Sequence, residues 1–161
     1  MIVIVMGVTG SGKTTVGSLL AEQLGWKFAD ADDFHPPANV EKMRRGIALT
    51  GEDRIPWLAR LRGQINNWIA EGRNVVLACS ALKGSYRREL EAGPEVRFVY
   101  LKGTAALIAE RLRSRHGHFA GEAILAGQFA DLEEPETAVT VDIALAPPQI
   151  VAEIRGRLGL A

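Results

Sequence analysis

Three observations predict an α/β fold built on a parallel sheet. Short apolar runs alternate with amphipathic segments, the first run is apolar at every position, and a glycine-rich turn joins it directly to a helix. Ile2–Met6 reads as a strand buried on both faces. Lys13–Leu24 follows as a helix with Val16, Leu19, Leu20 and Leu24 on one stripe. Trp26–Asp32 reads as a second strand ending in carboxylates, and Pro37–Arg45 as a short polar helix closed by Gly46. Thr50 and Asp53 make a start signal for the next helix, with Pro56 tolerated in its first turn. Leu58, Leu61, Ile65 and Trp68 give that helix one buried face, and Gly72 ends it. Asn74–Cys79 and Val96–Leu101 are the third and fourth strands, with a helix over about 85–91 between them. Thr104 caps a helix running to about Arg115, 116–121 breaks the pattern, and Glu122–Leu132 is helical again. Val139–Leu145 is the last strand and Gln149–Leu158 the closing helix.

The length of 161 residues suits one domain, 1–161, with a 47% hydrophobic fraction ample for a packed core. The 19 basic and 19 acidic residues cancel, which argues against a nucleic-acid partner, since that needs a one-sided basic surface. A local basic pocket for a small anion stays open. The one cysteine, Cys79, has no internal disulfide partner, and the apolar start at Met1–Val5 is too short to span a membrane and lacks a basic leader. A cytoplasmic location is expected.

Gly7-Val8-Thr9-Gly10-Ser11-Gly12-Lys13-Thr14 matches G-x-x-x-x-G-K-[ST], the phosphate-loop pattern, between a buried strand and an amphipathic helix. The glycines let successive N–H groups turn inward, and the helix N-terminus adds its partial positive charge. Lys13 reaches the β- and γ-phosphates of ATP, the Thr14 hydroxyl is placed for Mg²⁺, and Thr15 adjoins the loop. A P-loop NTPase fold follows. Nucleotide switches and motors also use such loops, but the N-K-x-D and D-x-x-G segments of a switch are absent from the sequence. The third strand ends in Cys79-Ser80, without the acidic metal ligand of a motor. A small-molecule kinase needs an acceptor pocket and a lid that excludes water.

Continued to Asp32, the second strand would put Asp30 and Asp32 on one side, facing the phosphate loop, and Asp33 on the other. One of the pair can accept a hydroxyl proton and either can hold Mg²⁺; the competing interpretation is a solvated acidic turn. Arg111 and Arg115, four apart, share a helix face beside the break. They suit a nucleotide clamp, and on spacing alone an ordinary solvated face fits equally.

The blocks Asp30-Ala-Asp-Asp-Phe-His35-Pro36, Asp53-Arg54-Ile-Pro56-Trp57-Leu58, Cys79-Ser80-Ala-Leu-Lys83 with Tyr86-Arg87, Gly117-His118-Phe119 and Gln128-Phe129 make the resemblance specific. Over nearly its whole length the chain resembles the gluconokinases, small P-loop enzymes that phosphorylate D-gluconate on O6. The resemblance implies a five-stranded parallel sheet like that of nucleoside monophosphate kinases and shikimate kinase. It further implies an acceptor-binding segment over about 35–72, a lid near 115–121 and a homodimer. Arg54 lies where shikimate kinases carry an arginine for the substrate carboxylate. Lys83 and Arg87 are further anion-pocket candidates, and His35 and Ser80 suit polyol hydroxyls. By the same analogy Arg111 stacks on adenine, Arg115 reaches the phosphates, and backbone near Pro147 meets the base. The implied chemistry is in-line transfer of the γ-phosphoryl group to gluconate. Lys13, Mg²⁺ and Arg115 neutralise charge, while Asp32 serves as base, a role Asp30 could exchange with it.

Overall fold

The computed structural model describes residues 1–116 and 122–160. β1 (Ile2–Met6) leads through the glycine-rich loop into α1 (Lys13–Leu24), and β2 (Lys27–Asp30) into a 3₁₀ turn (Ala31–Phe34). α2 (Pro37–Arg44), α3 (Gly51–Ala70), β3 (Val75–Ala78), α4 (Gly84–Leu90) and β4 (Val96–Lys102) follow. α5 (Ala105–His116), α6 (Glu122–Asp131), β5 (Val139–Asp142) and α7 (Pro147–Leu158) complete the chain.

The five strands pair in parallel in the order β2-β3-β1-β4-β5. All five residues of β1 are fully buried, which is why this run carries no polar residue. Its alternation divides the core. Val3 and Val5 face α1, α5 and α7 through Leu20, Ile108, Val151 and Ile154. Ile2, Ile4 and Met6 face α3 and α4 through Leu61, Ile65, Trp68 and Leu90. Each such side chain contributes roughly 1.5–3 kcal/mol on burial. The chain places β2 and β3 on one side of β1 and then crosses to β4 on the other, so the carboxyl ends of β1, β3 and β4 border a topological switch, where α/β sheets bind ligands.

The second strand stops at Asp30, two residues short of expectation, because Asp30 Oδ1 accepts the Asp32 N–H at 2.9 Å and turns the chain. The last strand also stops early, at Asp142, whose Oδ1 accepts the Ala144 N–H at 2.8 Å. α3 begins on a complete capping box: Thr50 Oγ1 accepts from Asp53 N at 3.1 Å, and Asp53 Oδ2 accepts from Thr50 N at 2.9 Å. Pro56 therefore lies in the second turn of α3 and not the first. There it removes one bond to the Glu52 carbonyl on an exposed face, where water can serve instead.

Candidate active site

The loop after β1 builds the site's floor. A Cβ on Gly7 would stand 2.6 Å from Ser11 Oγ and 3.1 Å from the Leu101 carbonyl oxygen, so only glycine lets the loop pass this close to β4. Gly12, at φ 93°, occupies the left-handed region and turns the backbone into α1. Ser11 Oγ is buried without a hydrogen-bond partner among the described residues. Lys13 Nζ donates to the Val8 carbonyl at 3.1 Å.

Two cavities border this loop, and a third adjoins one of them. The first, about 440 Å³, is walled by Thr9, Gly12, Lys13, Thr14 and Thr15 with Asp30, Asp32, Cys79 and Ser80. Burial lowers the Lys13 pKa, while nearby Cys79, Asp32 and Asp30 oppose that shift. Burial pushes the Cys79 thiol up to about 12, so at neutral pH the aspartates supply the opposing charge. Partial withdrawal from water, then the like charge of Asp30, raise the Asp32 pKa; water on its open side (78% of the side chain exposed) screens both effects. Asp30 and Asp32 thus both reach the phosphate loop, as expected, although a 3₁₀ turn and not strand alternation brings them there.

The second cavity, about 560 Å³, lies across the loop. Val16, Leu107, Leu112 and Ile150 give it apolar walls beside Arg111 and Pro147. Arg111 Nη2 donates to the Ile143 carbonyl at 2.6 Å, which fixes the guanidinium against this wall. Of the lid expected over about 115–121, the Arg115 side chain and residues 117–121 lie outside the described residues.

The third cavity is small, about 50 Å³, and is lined by Arg54, Trp57, Ser80, Tyr86, Gln128 and Asp131. Arg54 Nη1 donates to Tyr86 Oη at 3.3 Å, and its guanidinium lies 5.9 Å from the centre of that ring. Lys83 Nζ lies 6.0 Å from the same ring. Ser80 and Gln128 line this cavity and the phosphate cavity alike, so the two share a wall.

His35 is held beside them. It stacks on Trp57 with centroids 4.7 Å apart, and Trp57 Nε1 donates to the Ala31 carbonyl at 2.8 Å. Asn39 Nδ2 donates to the Asp53 carbonyl at 2.7 Å, which fixes the amide's orientation, and lies 3.1 Å from His35 Nδ1. Nδ1 therefore accepts and Nε2 carries the proton, 3.8 Å from Asp32 Oδ1. Burial lowers the His35 pKa, opposed by Asp32 and helped by Arg54, so the ring is neutral near pH 7.

Arg87 goes elsewhere. Its guanidinium donates to the carbonyls of Ala81, Leu82 and Glu133 at 2.8, 3.0 and 2.7 Å, and it borders a separate groove with Glu134 and Phe98. It ties α4 to the segment before β5 and does not line the third cavity. Tyr86, Gln128 and Asp131 line this cavity although the sequence pattern alone assigns them no role. Their signal was there in part: Gln128 and Asp131, three apart, are polar residues on one face of an otherwise apolar helical stretch.

The shikimate kinase family model matches residues 9–128. A gluconokinase of Gluconobacter oxydans is 47% identical over 82% of this chain and 75% of its own. The crystal structure of a gluconokinase from Sinorhizobium meliloti superimposes with a TM-score of 0.87 at 42% identity, covering 98% of this chain and 90% of that one. The chain belongs to the gluconokinase family. A shikimate kinase of Aquifex aeolicus, at 18% identity and a TM-score of 0.61, shares the fold alone. Membership makes this a P-loop kinase with the α/β architecture expected. Among the described residues no helix is long and apolar enough to cross a membrane.

Proposed function

We propose that this kinase transfers the γ-phosphoryl group of ATP to O6 of D-gluconate, giving 6-phospho-D-gluconate and ADP. The shared wall between the phosphate and acceptor cavities supports this above all: Arg54 stands on one side of it, Lys13, Asp30 and Asp32 on the other. A linear polyhydroxy acid can set its carboxylate on the planar fork of Arg54 and extend its far hydroxyl toward Asp32.

The buried, unpartnered Ser11 Oγ, the glycine-bounded loop and an apolar cavity ending at Arg111 and Pro147 fit a nucleoside triphosphate. In this reading the loop residues Gly7–Thr15 hold the phosphates. Thr14, with support from Asp30, would hold Mg²⁺, which would supply charge neutralisation to the phosphates. Among the described residues no group of three His, Cys, Asp or Glu is placed to hold a metal alone, so phosphate and water would complete its ligands.

Asp32 takes the O6 proton as the O6–phosphorus bond forms and the bond to the β-phosphate oxygen breaks. Lys13 neutralises the charge left on that oxygen, and Arg115 assists from the lid. Asp30 Oδ1 is committed to the Asp32 N–H, which favours Asp32 as the base. Its raised pKa makes it a stronger base than a free aspartate. In this reading His35, 3.8 Å from Asp32, and Ser80, on the shared wall, meet acceptor hydroxyls, and Lys83 adds positive charge near Tyr86.

The proposal includes an acceptor-binding segment over about 35–72, a lid over about 115–121, a homodimer and a cytoplasmic location. The contacts linking His35, Asn39, Asp53 and Trp57 support the segment as one unit, and the buried free thiol of Cys79 suits a reducing compartment. Coupled ADP release measured over gluconate, shikimate, glycerate, AMP and CMP should be fastest with gluconate. Faster turnover of AMP or shikimate would refute the acceptor assignment and leave the phosphate loop standing. Arg54→Ala should raise the gluconate KM by about ten- to a hundredfold, with the ATP KM nearly unchanged.

A further inference from the structure

A side chain 119 positions away in sequence occupies a donor of the phosphate loop: the Thr9 N–H donates to Gln128 Oε1 at 2.6 Å. Because the partner is an N–H, the oxygen end of the carboxamide must face the loop. Gln128 is also one of two residues common to the walls of the phosphate and acceptor cavities. Ser80, the other, leaves the sheet just after β3, whereas Gln128 comes from α6. A backbone N–H of such a loop serves anions, and an anionic phosphate oxygen is a stronger acceptor than a neutral amide.

We propose that Gln128 is a positioning residue whose carboxamide caps the Thr9 N–H while the phosphate cavity is empty and turns to an acceptor hydroxyl when a triphosphate takes that N–H. The acceptor half of this proposal rests on the kinase reading above. Gln128 then competes with the nucleotide for the loop and helps the sugar acid, so the carboxamide reports loading of one cavity to the other. Replacing it should move the two affinities in opposite directions. Loss of structure alone would weaken both.

The test uses Gln128→Met, which keeps the length of an unbranched side chain, and Gln128→Glu, which places a negative acceptor at the loop. Calorimetric titration with the non-hydrolysable analogue AMPPNP, without acceptor, should show about two- to tenfold tighter binding to Gln128→Met, the range of one neutral hydrogen bond. Gln128→Glu should bind AMPPNP more weakly than wild type. In steady state, the gluconate KM of Gln128→Met should rise by a similar factor. AMPPNP binding no tighter in Gln128→Met, or no weaker in Gln128→Glu, overturns the competition. An unchanged gluconate KM overturns the coupling. Should the wild type fail to turn over gluconate at all, the acceptor assignment is refuted, while the AMPPNP titrations still decide the Thr9 contact.

Discussion

As the proposed base, Asp32 meets two opposed demands. A base must be ionised, yet partial burial and the neighbouring Asp30 disfavour its charge. A carboxyl whose folded pKa lies above its unfolded value weakens the fold as pH rises through that interval, so its ionisation at neutral pH is a cost to stability. Asp32→Asn should therefore lower kcat by about a hundredfold or more with little change in the ATP KM. At pH 7 its melting temperature should rise. The wild-type kcat/KM should fall on acidification, with its midpoint above the 3.8 of a free aspartate, and the variant should lose that limb. A variant that keeps most of its kcat would pass the base role to Asp30. His35 follows the opposite sign: with a depressed folded pKa, its contribution is present above 6.5 and is lost as pH falls below it.

The α3 start couples secondary structure to the site, because Asp53 of its capping box also holds Lys42 and Asn39. Lys42 Nζ meets Asp53 Oδ2 at 2.8 Å, and the Asp53 carbonyl takes Asn39, which fixes His35. Thr50→Ala should lower stability by about 1 kcal/mol, read by urea unfolding, and raise the gluconate KM as His35 loosens. The hydrogen bond from Lys42 and those within the cap hold the Asp53 pKa down to about 2. Its stabilising effect is complete above 3.8 and fades as pH falls toward 2, so Asp53→Asn should differ least from wild type at the acid end. This capping box was legible in the sequence, as were β1 and α1 at their full bounds, because both rest on local pattern. The end of β2 was not: one side-chain bond from Asp30 to the backbone of Asp32 outweighs alternation, and hydrophobic period carries no trace of it. Neither was the Thr9–Gln128 contact, which depends on two elements meeting across the fold, nor the commitment of Arg87 to three carbonyls.

On the scale of the molecule, the parallel order puts every strand's carboxyl end on one edge, and the phosphate loop, Asp30 and Ser80 all leave the sheet there. A nucleotide bridging the loop, α5 and the start of α7 would tie together parts of the chain far apart in sequence. ADP at a hundred times its dissociation constant should add about 2.7 kcal/mol. That corresponds to roughly 5–11 °C in melting temperature for a domain of this size, and no shift would disqualify the nucleotide site. The proposed acceptor cavity has a different parentage: Arg54 comes from α3, Tyr86 from α4, and Gln128 and Asp131 from α6, with no contribution from β1 or its loop. In the proposed reading, donor chemistry and acceptor choice thus have largely separate genetic addresses, joined at Ser80 and Gln128. Codon changes at Arg54, Trp57, Tyr86 or Asp131 would then redraw which alcohol is admitted while the phosphate loop is inherited intact.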